Sequence, residues 1–289
     1  FRSIGVKAGA VAGRRLLALA AAVALAAAAA PPLAAASFTA QDGLAHPAGG
    51  TALVYREQHF LRVEAGRPLE RLVVYRCPAG AAFARKHLDY AVSILAPDFR
   101  LDDHRSGYRE GMRRRAGRVE LYFRPPAGGT EKQVALPTAP GVADAGFDEF
   151  VRANWQPLLA GRDLPLRFAV PSRLRAMDFA VRKTGSARIA GEDAVVFRLR
   201  LDGLLSLVAP HIDVAYGARS RRLLRFEGLS NMRDASGRRQ LNLRIDFPQP
   251  AQAASEAQWQ AALAEPLAAR CESGQQADTS SVRTPQSSG

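Results

Sequence analysis

The side chains best suited to acid–base or metal chemistry are five histidines, His46, His59, His87, His104 and His211, scattered along 289 residues. No two stand four apart, so a helical zinc pair of the H-E-x-x-H kind is excluded. Asp102-Asp103-His104 offers metal-ligand types in a row, and His87 with Asp89 offers half of a proton relay. Without spatial partners both read as solvated side chains. Gly228-Leu229-Ser230-Asn231-Met232 approaches the G-x-S-x-G elbow of a hydrolase but lacks the second glycine. His211 follows the apolar run Leu204 to Val208 and Pro210, where a backbone carbonyl at a strand start would satisfy it. P-loop, Rossmann and C-x-x-C spacings are missing. The expectation is therefore a non-enzymatic protein with no catalytic residue, metal or cofactor.

The elements around these residues read mainly as strands. Ala52 to Val63 and Leu69 to Cys77 are rich in β-branched and aromatic residues and flank the turn Glu64-Ala65-Gly66. They follow a Gly- and Pro-rich lead-in, Gly43 to Gly50. Ala79 to Leu88 reads as a short helix, Pro97 to Arg105 as a polar loop, and Tyr108 to Met112 with Arg118 to Arg124 as a hairpin across Ala116-Gly117. Lys132 to Leu136 adds a strand. Asp144 to Leu159 has apolar residues at helical spacing, with Asp144 as N-cap, Gly161 as stop and Pro157 as a distortion. From Leu166 to Phe247 apolar and polar residues alternate with period two, which places one apolar face on an antiparallel sheet. Turns are expected at Thr184-Gly185-Ser186, Gly217-Ala218 and Asp234 to Gly237. Ser255 and Gln258 form a capping box before a last helix bearing Trp259, Ala262 and Leu263.

Arg2, Lys7, Arg14 and Arg15, the apolar run Leu16 to Ala30 and Ala34-Ala35-Ala36 have the order of a cleaved secretory signal peptide. The run is mostly alanine and is broken by Pro31-Pro32, which argues against a retained membrane anchor. The organisation expected is a signal peptide over 1–36, a β half-barrel-like domain over 37–250, a C-terminal helix over 251–271 and a disordered tail over 272–289. The net charge is +13, and all but four of the 40 basic residues are arginine. Arg113-Arg114-Arg115 and Arg219 with Arg221-Arg222 read as solvated turns, with an anionic membrane surface as the next partner and nucleic acid excluded. In the oxidising compartment that a signal peptide implies, Cys77 and Cys271 are a disulfide candidate.

Ala194 to Phe247 resembles the end of the LolA/LolB/RseB-like envelope proteins. The matching features are strands Val195 to Leu201 and Ile212 to Tyr216, the run Arg222-Leu223-Leu224-Arg225-Phe226-Glu227, the turn Asp234-Ala235-Ser236-Gly237 and an alternating last strand. The resemblance implies an exported protein whose incomplete β-barrel is closed by helices and can hold acyl chains. No ligand-binding residue of the family carries over by position. The fold expected is thus α+β, a curved antiparallel β-sheet covered by a few helices. Its apolar face would comprise Phe147, Phe150, Trp155, Phe197, Leu199, Leu243 and Ile245, the last two in the row Leu241, Leu243, Ile245, Phe247. The function expected is periplasmic or secreted binding of an apolar or amphipathic ligand, a lipid or a lipidated protein. A structural or protein-interaction module of the envelope with the same face filled is the alternative. A hydrolase whose groups converge only in three dimensions is the third reading.

Overall fold

The computed structural model describes residues 36–203 and 210–272. Residues 1–35, which hold all but the last residue of the expected signal peptide, lie outside the described residues, as do the expected tail beyond residue 272 and the run Leu204 to Val208. The strands in chain order are β1 (Ser37–Pro47), β2 (Tyr55–Glu64), β3 (Arg67–Arg76), β4 (Ala82–Asp89), β5 (Asp98–Asp103), β6 (Tyr108–Arg115), β7 (Arg118–Arg124) and β8 (Lys132–Ala135). Helices α1 (Gly146–Ala153) and α2 (Trp155–Leu159) follow. A second set comprises β9 (Leu164–Val170), β10 (Arg175–Ile189), β11 (Glu192–Leu201), β12 (Ile212–Gly217), β13 (Leu223–Arg233) and β14 (Gln240–Asp246). The short β15 (Gln252–Ala254) and α3 (Glu256–Ala264) end the described chain.

All fifteen strands belong to one sheet, two antiparallel meanders joined where β1 pairs with β14. The sheet is not closed: its edges are β8 and β9. It curls far enough that Ala169 of β9, with Leu174 beyond it, packs with Met112, Val119 and Leu121 of β6 and β7. Curvature separates two faces along each strand. On β3, Val73 and Tyr75 face the inner core, whereas Leu72 and Val74 pack outward with Trp259 and Ala262 of α3. Helices α1 and α2 lie on the inner face, where Val151, Trp155 and Leu158 pack on Val181, Phe197 and Tyr216.

Several local expectations are corrected. Ala79 to Leu88 is not a helix: Ala82 to Asp89 is β4, paired on both sides, because tertiary pairing overrides the helix propensity of its alanines. Pro97 to Arg105 is not a loop but contains β5, with Phe99, Leu101 and Asp103 buried at alternate positions. Its charges lie mostly on the other face. The lead-in Gly43 to Gly50 is partly the central strand β1, in which a Cβ on Gly43 would lie 2.8 Å from the Phe247 ring. Thr184-Gly185-Ser186 is a bulge inside β10, and the chain turns instead at Ala190-Gly191, where φ is 49° and 77°. Arg113 to Arg115 end β6 rather than occupy a turn; Arg113 is bonded to Glu120 and Glu131, and Arg114 to Asp98. The Asp144 to Leu159 helix is interrupted at Asn154, because Pro157 cannot donate to the Ala153 carbonyl and its ring crowds that group.

Ser255 and Gln258 form the capping box of α3, each side chain bonding the other residue's backbone N–H. Cys77, directly after β3, and Cys271, after α3, are in disulfide geometry with Cα atoms 5.5 Å apart.

Candidate functional site

Two apolar clusters line the inner face. Phe147, Trp155, Phe197 and Leu199 belong to the one beneath α1 and α2. Leu243, Ile245 and Phe247 belong to the other, with Tyr55, Tyr75 and Phe83. A cavity of about 440 Å³ borders both. Of the seven residues expected on the apolar face, Phe147, Leu199 and Ile245 line this cavity. Trp155 and Phe197 sit in a packed aromatic group instead, with ring centroids 5.4 Å apart and Tyr216 beside them. Phe150 stacks on Phe147 at the margin of that cluster, and Leu243 is buried in the other. The face read as continuous is therefore part solid core and part cavity wall.

The two meanders line the cavity differently. From β9 to β14 come apolar side chains, among them Phe168, Met177, Phe179, Ile212 and Phe226. From β2, β3, β4 and β6, and from the start of α1, come Glu57, His59, Arg71, Lys86, Glu110, Asp144 and Asp148. The exposed residues Arg173, Pro210 and His211 mark its mouth.

The charged lining is paired in a specific order. Lys86 Nζ lies 2.8 Å from Asp144 Oδ1 and Asn231 Nδ2 donates to Asp144 Oδ2 at 3.3 Å. Asp144 was expected to cap the helix; with φ at 42° it turns inward to this ion pair, and the N-cap position falls to Ala145, which makes no side-chain bond. Arg71 Nη1 donates to Asp148 Oδ2 at 3.1 Å, and the Tyr216 hydroxyl donates to Asp148 Oδ1 at 2.7 Å. Burial acts to raise the Asp148 carboxyl, but Arg71, Arg152 and these hydrogen bonds outweigh it and hold it below the ordinary range. His59 Nε2 lies 2.6 Å from Glu57 Oε2, and the Tyr55 hydroxyl donates to Glu57 Oε1 at 3.3 Å. Glu110 accepts from the Tyr108 hydroxyl at 2.7 Å. Burial pushes the Glu110 carboxyl up to about 7, and among the described residues no cation forms an ion pair with it.

The residues first considered for chemistry go elsewhere. Asp102 accepts from Arg100 and Arg109, and Asp103 from Arg105, while His104 is exposed. His87 bonds Glu70 at 3.1 Å, and Asp89 accepts from the Ala91 backbone. Ser230 is buried in β13 and bonds the Met232 backbone, not a histidine. His211 stands 3.7 Å from Asp213 at the cavity mouth. Period-two reading of β2 and β6 contained a signal for the missed acids. Tyr55-x-Glu57-x-His59 and Tyr108-x-Glu110-x-Met112 each place a glutamate on the inward row.

No protein-family model and no curated protein matches the sequence. Among solved structures, the chain is similar to a β-barrel-like protein of the DUF1849 family from Brucella abortus, at 6% identity and a TM-score of 0.38, over 77% of this chain and 99% of that one. It is similar to a domain described as an outer membrane lipoprotein-sorting protein from Vibrio parahaemolyticus, at 9% identity and a TM-score of 0.25, over 76% and 86%. A DUF1329 family protein from Desulfovibrio piger is similar at 9% identity and a TM-score of 0.25, over 76% and 86%. These are weak likenesses to LolA-like and β-barrel-like proteins, and they concern the fold alone.

Proposed function

We propose that this chain is an exported, non-enzymatic envelope protein that holds an amphipathic molecule, a lipid or the acyl chain of a lipidated protein, in its inner cavity. The observation that carries the reading is the uneven lining: mostly apolar walls from β9 to β14, and acidic and basic hydrogen-bonded groups from β2 to β6 and the start of α1, around one space. Its volume of about 440 Å³ falls in the range of ~300–1,000 Å³ typical of small-ligand sites. An acyl chain laid on Phe168, Phe179 and Ile212 removes apolar surface from water, at about 25 cal/mol per Å². The polar groups then keep the head of the molecule solvated by protein. The basic and apolar leader ending in Ala34-Ala35-Ala36, together with the Cys77–Cys271 geometry, supports a periplasmic or secreted location.

The packed group of Trp155, Phe197 and Tyr216 favours the alternative of a filled structural module for the part of the sheet under α1 and α2. Native mass spectrometry of the protein purified from its host's periplasm separates the two readings. The carrier reading expects a bound amphiphile that organic solvent releases. Met177→Trp, which fills the cavity from its half-buried rim, should lower that occupancy while cooperative unfolding persists. Ligand-free protein that also fails to take up an added fatty acid would leave the structural module as the better account.

A further inference from the structure

We propose that the cavity selects an amphiphile whose head carries a protonated amine, seated against Glu110; the inference rests on the carrier reading above. Four carboxylates line the space, Glu57, Glu110, Asp144 and Asp148, against two half-buried cations, Lys86 and Arg71. Both cations are already committed, Lys86 to Asp144 at 2.8 Å and Arg71 to Asp148 at 3.1 Å. Glu57 has His59 and the Tyr55 hydroxyl as partners. Glu110 is different. It is 4% exposed, its Oε2 accepts from the neutral Tyr108 hydroxyl, and its Oε1 has no hydrogen-bond partner among the described residues.

A buried carboxylate without a counter-ion costs several kcal/mol of desolvation unless a cation or a proton neutralises it. The charged groups facing it are Lys86 from β4, Asp144 from the turn before α1 and Arg233 from β13. Lys86 is held by Asp144, and Arg233 stacks its guanidinium over the Tyr108 ring at 4.5 Å. An alkylammonium head entering from the apolar side donates to Oε1 and supplies the missing charge. A carboxylate or phosphate head without an amine finds Lys86 and Arg71 already paired and leaves Glu110 without a counter-ion. Because the ammonium stabilises the ionised form of Glu110, its affinity rises with pH as that carboxyl ionises.

The test is competition against a bound neutral dye, N-phenyl-1-naphthylamine, by three probes of equal chain length: dodecylamine, dodecanoate and dodecan-1-ol. At about pH 8, where an amine of ordinary pKa ~10 is protonated, dodecylamine should displace the dye at a concentration about tenfold lower than the other two. That advantage should shrink at about pH 5.5, where Glu110 holds its proton. Glu110→Gln should abolish the advantage of dodecylamine over dodecan-1-ol. Equal displacement by all three probes at both pH values, or an unaltered preference in Glu110→Gln, overturns the amine proposal while the carrier reading stands. Failure of the dye and of every probe to bind removes the carrier reading itself. The pH series on the wild-type protein decides the matter even if Glu110→Gln does not fold.

Discussion

Glu110 shows how a single residue links stability to the cavity. Its folded-state carboxyl is raised to about 7 from an ordinary 4.5, so between those values the native state binds more protons than the unfolded state. Stability from this group is therefore present at low pH and is lost as pH rises through the folded value, by up to about 3 kcal/mol. Urea unfolding should show Glu110→Gln gaining on the wild type between about pH 5 and pH 8. A constant difference across that range would show that Glu110 is not held as a neutral acid. Lys86→Met strands a buried carboxylate and should cost about 3–5 kcal/mol, whereas Lys86→Met with Asp144→Asn should recover most of it. An additive double variant would show the pair to be uncoupled. None of these roles was legible by residue type. Asp144 carried a helix-cap signature, and only its positive φ turned it inward; of the histidines that attracted notice, His87 bonds Glu70 and His104 is exposed.

At the scale of elements, the sequence was most legible where alternation was uninterrupted. Leu241, Leu243, Ile245 and Phe247 mark β14 and its exit, and the Ala-Gly pairs at 65–66 and 116–117 are the two-residue turns of their hairpins. It failed where local composition and pairing disagree. In β4, Ala82, Phe83 and Ala84 are all buried in succession, so alternation disappears and alanine propensity points to a helix. In β5, Arg100 and Asp102 bond each other on the outer face, which makes a strand look like a polar loop. Capping was read correctly at α3 because both of its partners lie three residues apart in sequence. Ser255→Ala removes the acceptor for the Gln258 backbone N–H and should cost about 1 kcal/mol. Thermal unfolding should record a modest fall in midpoint with dye binding unchanged, since α3 packs on the outer face of β3 through Trp259 and Ala262. Trp155→Ala, by contrast, opens the aromatic group under α2 and should cost about 3–5 kcal/mol. A Trp155→Ala loss no larger than that of Ser255→Ala would mean that α2 is not a structural cover of the sheet.

For the whole molecule, the sheet's two edges stay unpaired with each other, so the curl of the sheet must be held by groups that bridge its faces. On the inner side the bridges are α1 and α2 and the packing of Ala169 against β6 and β7. On the outer side the bridge is α3; the cysteines, which span 194 residues of sequence, tie the segment after α3 to the inner cluster at the end of β3. The chain-entropy argument assigns a bond closing so long a loop about 5 kcal/mol at most, and native removals commonly cost ~2–5 kcal/mol. The expected cost of Cys77→Ala with Cys271→Ala therefore lies in that range. The consequence should also be local. Arg76 bonds Glu265 through both guanidinium nitrogens, and the Ala268 backbone N–H donates to Ala82, so the segment after α3 stays docked without the bond. Hydrogen exchange on the double variant should show new opening confined to residues near Cys271 and α3, with β10 to β14 as protected as before. Dye displacement by dodecylamine should keep its wild-type midpoint, since neither cysteine lines the cavity. Loss of protection across β10 to β14 would show instead that the disulfide holds the curl of the whole sheet, and dye binding would then be lost with it.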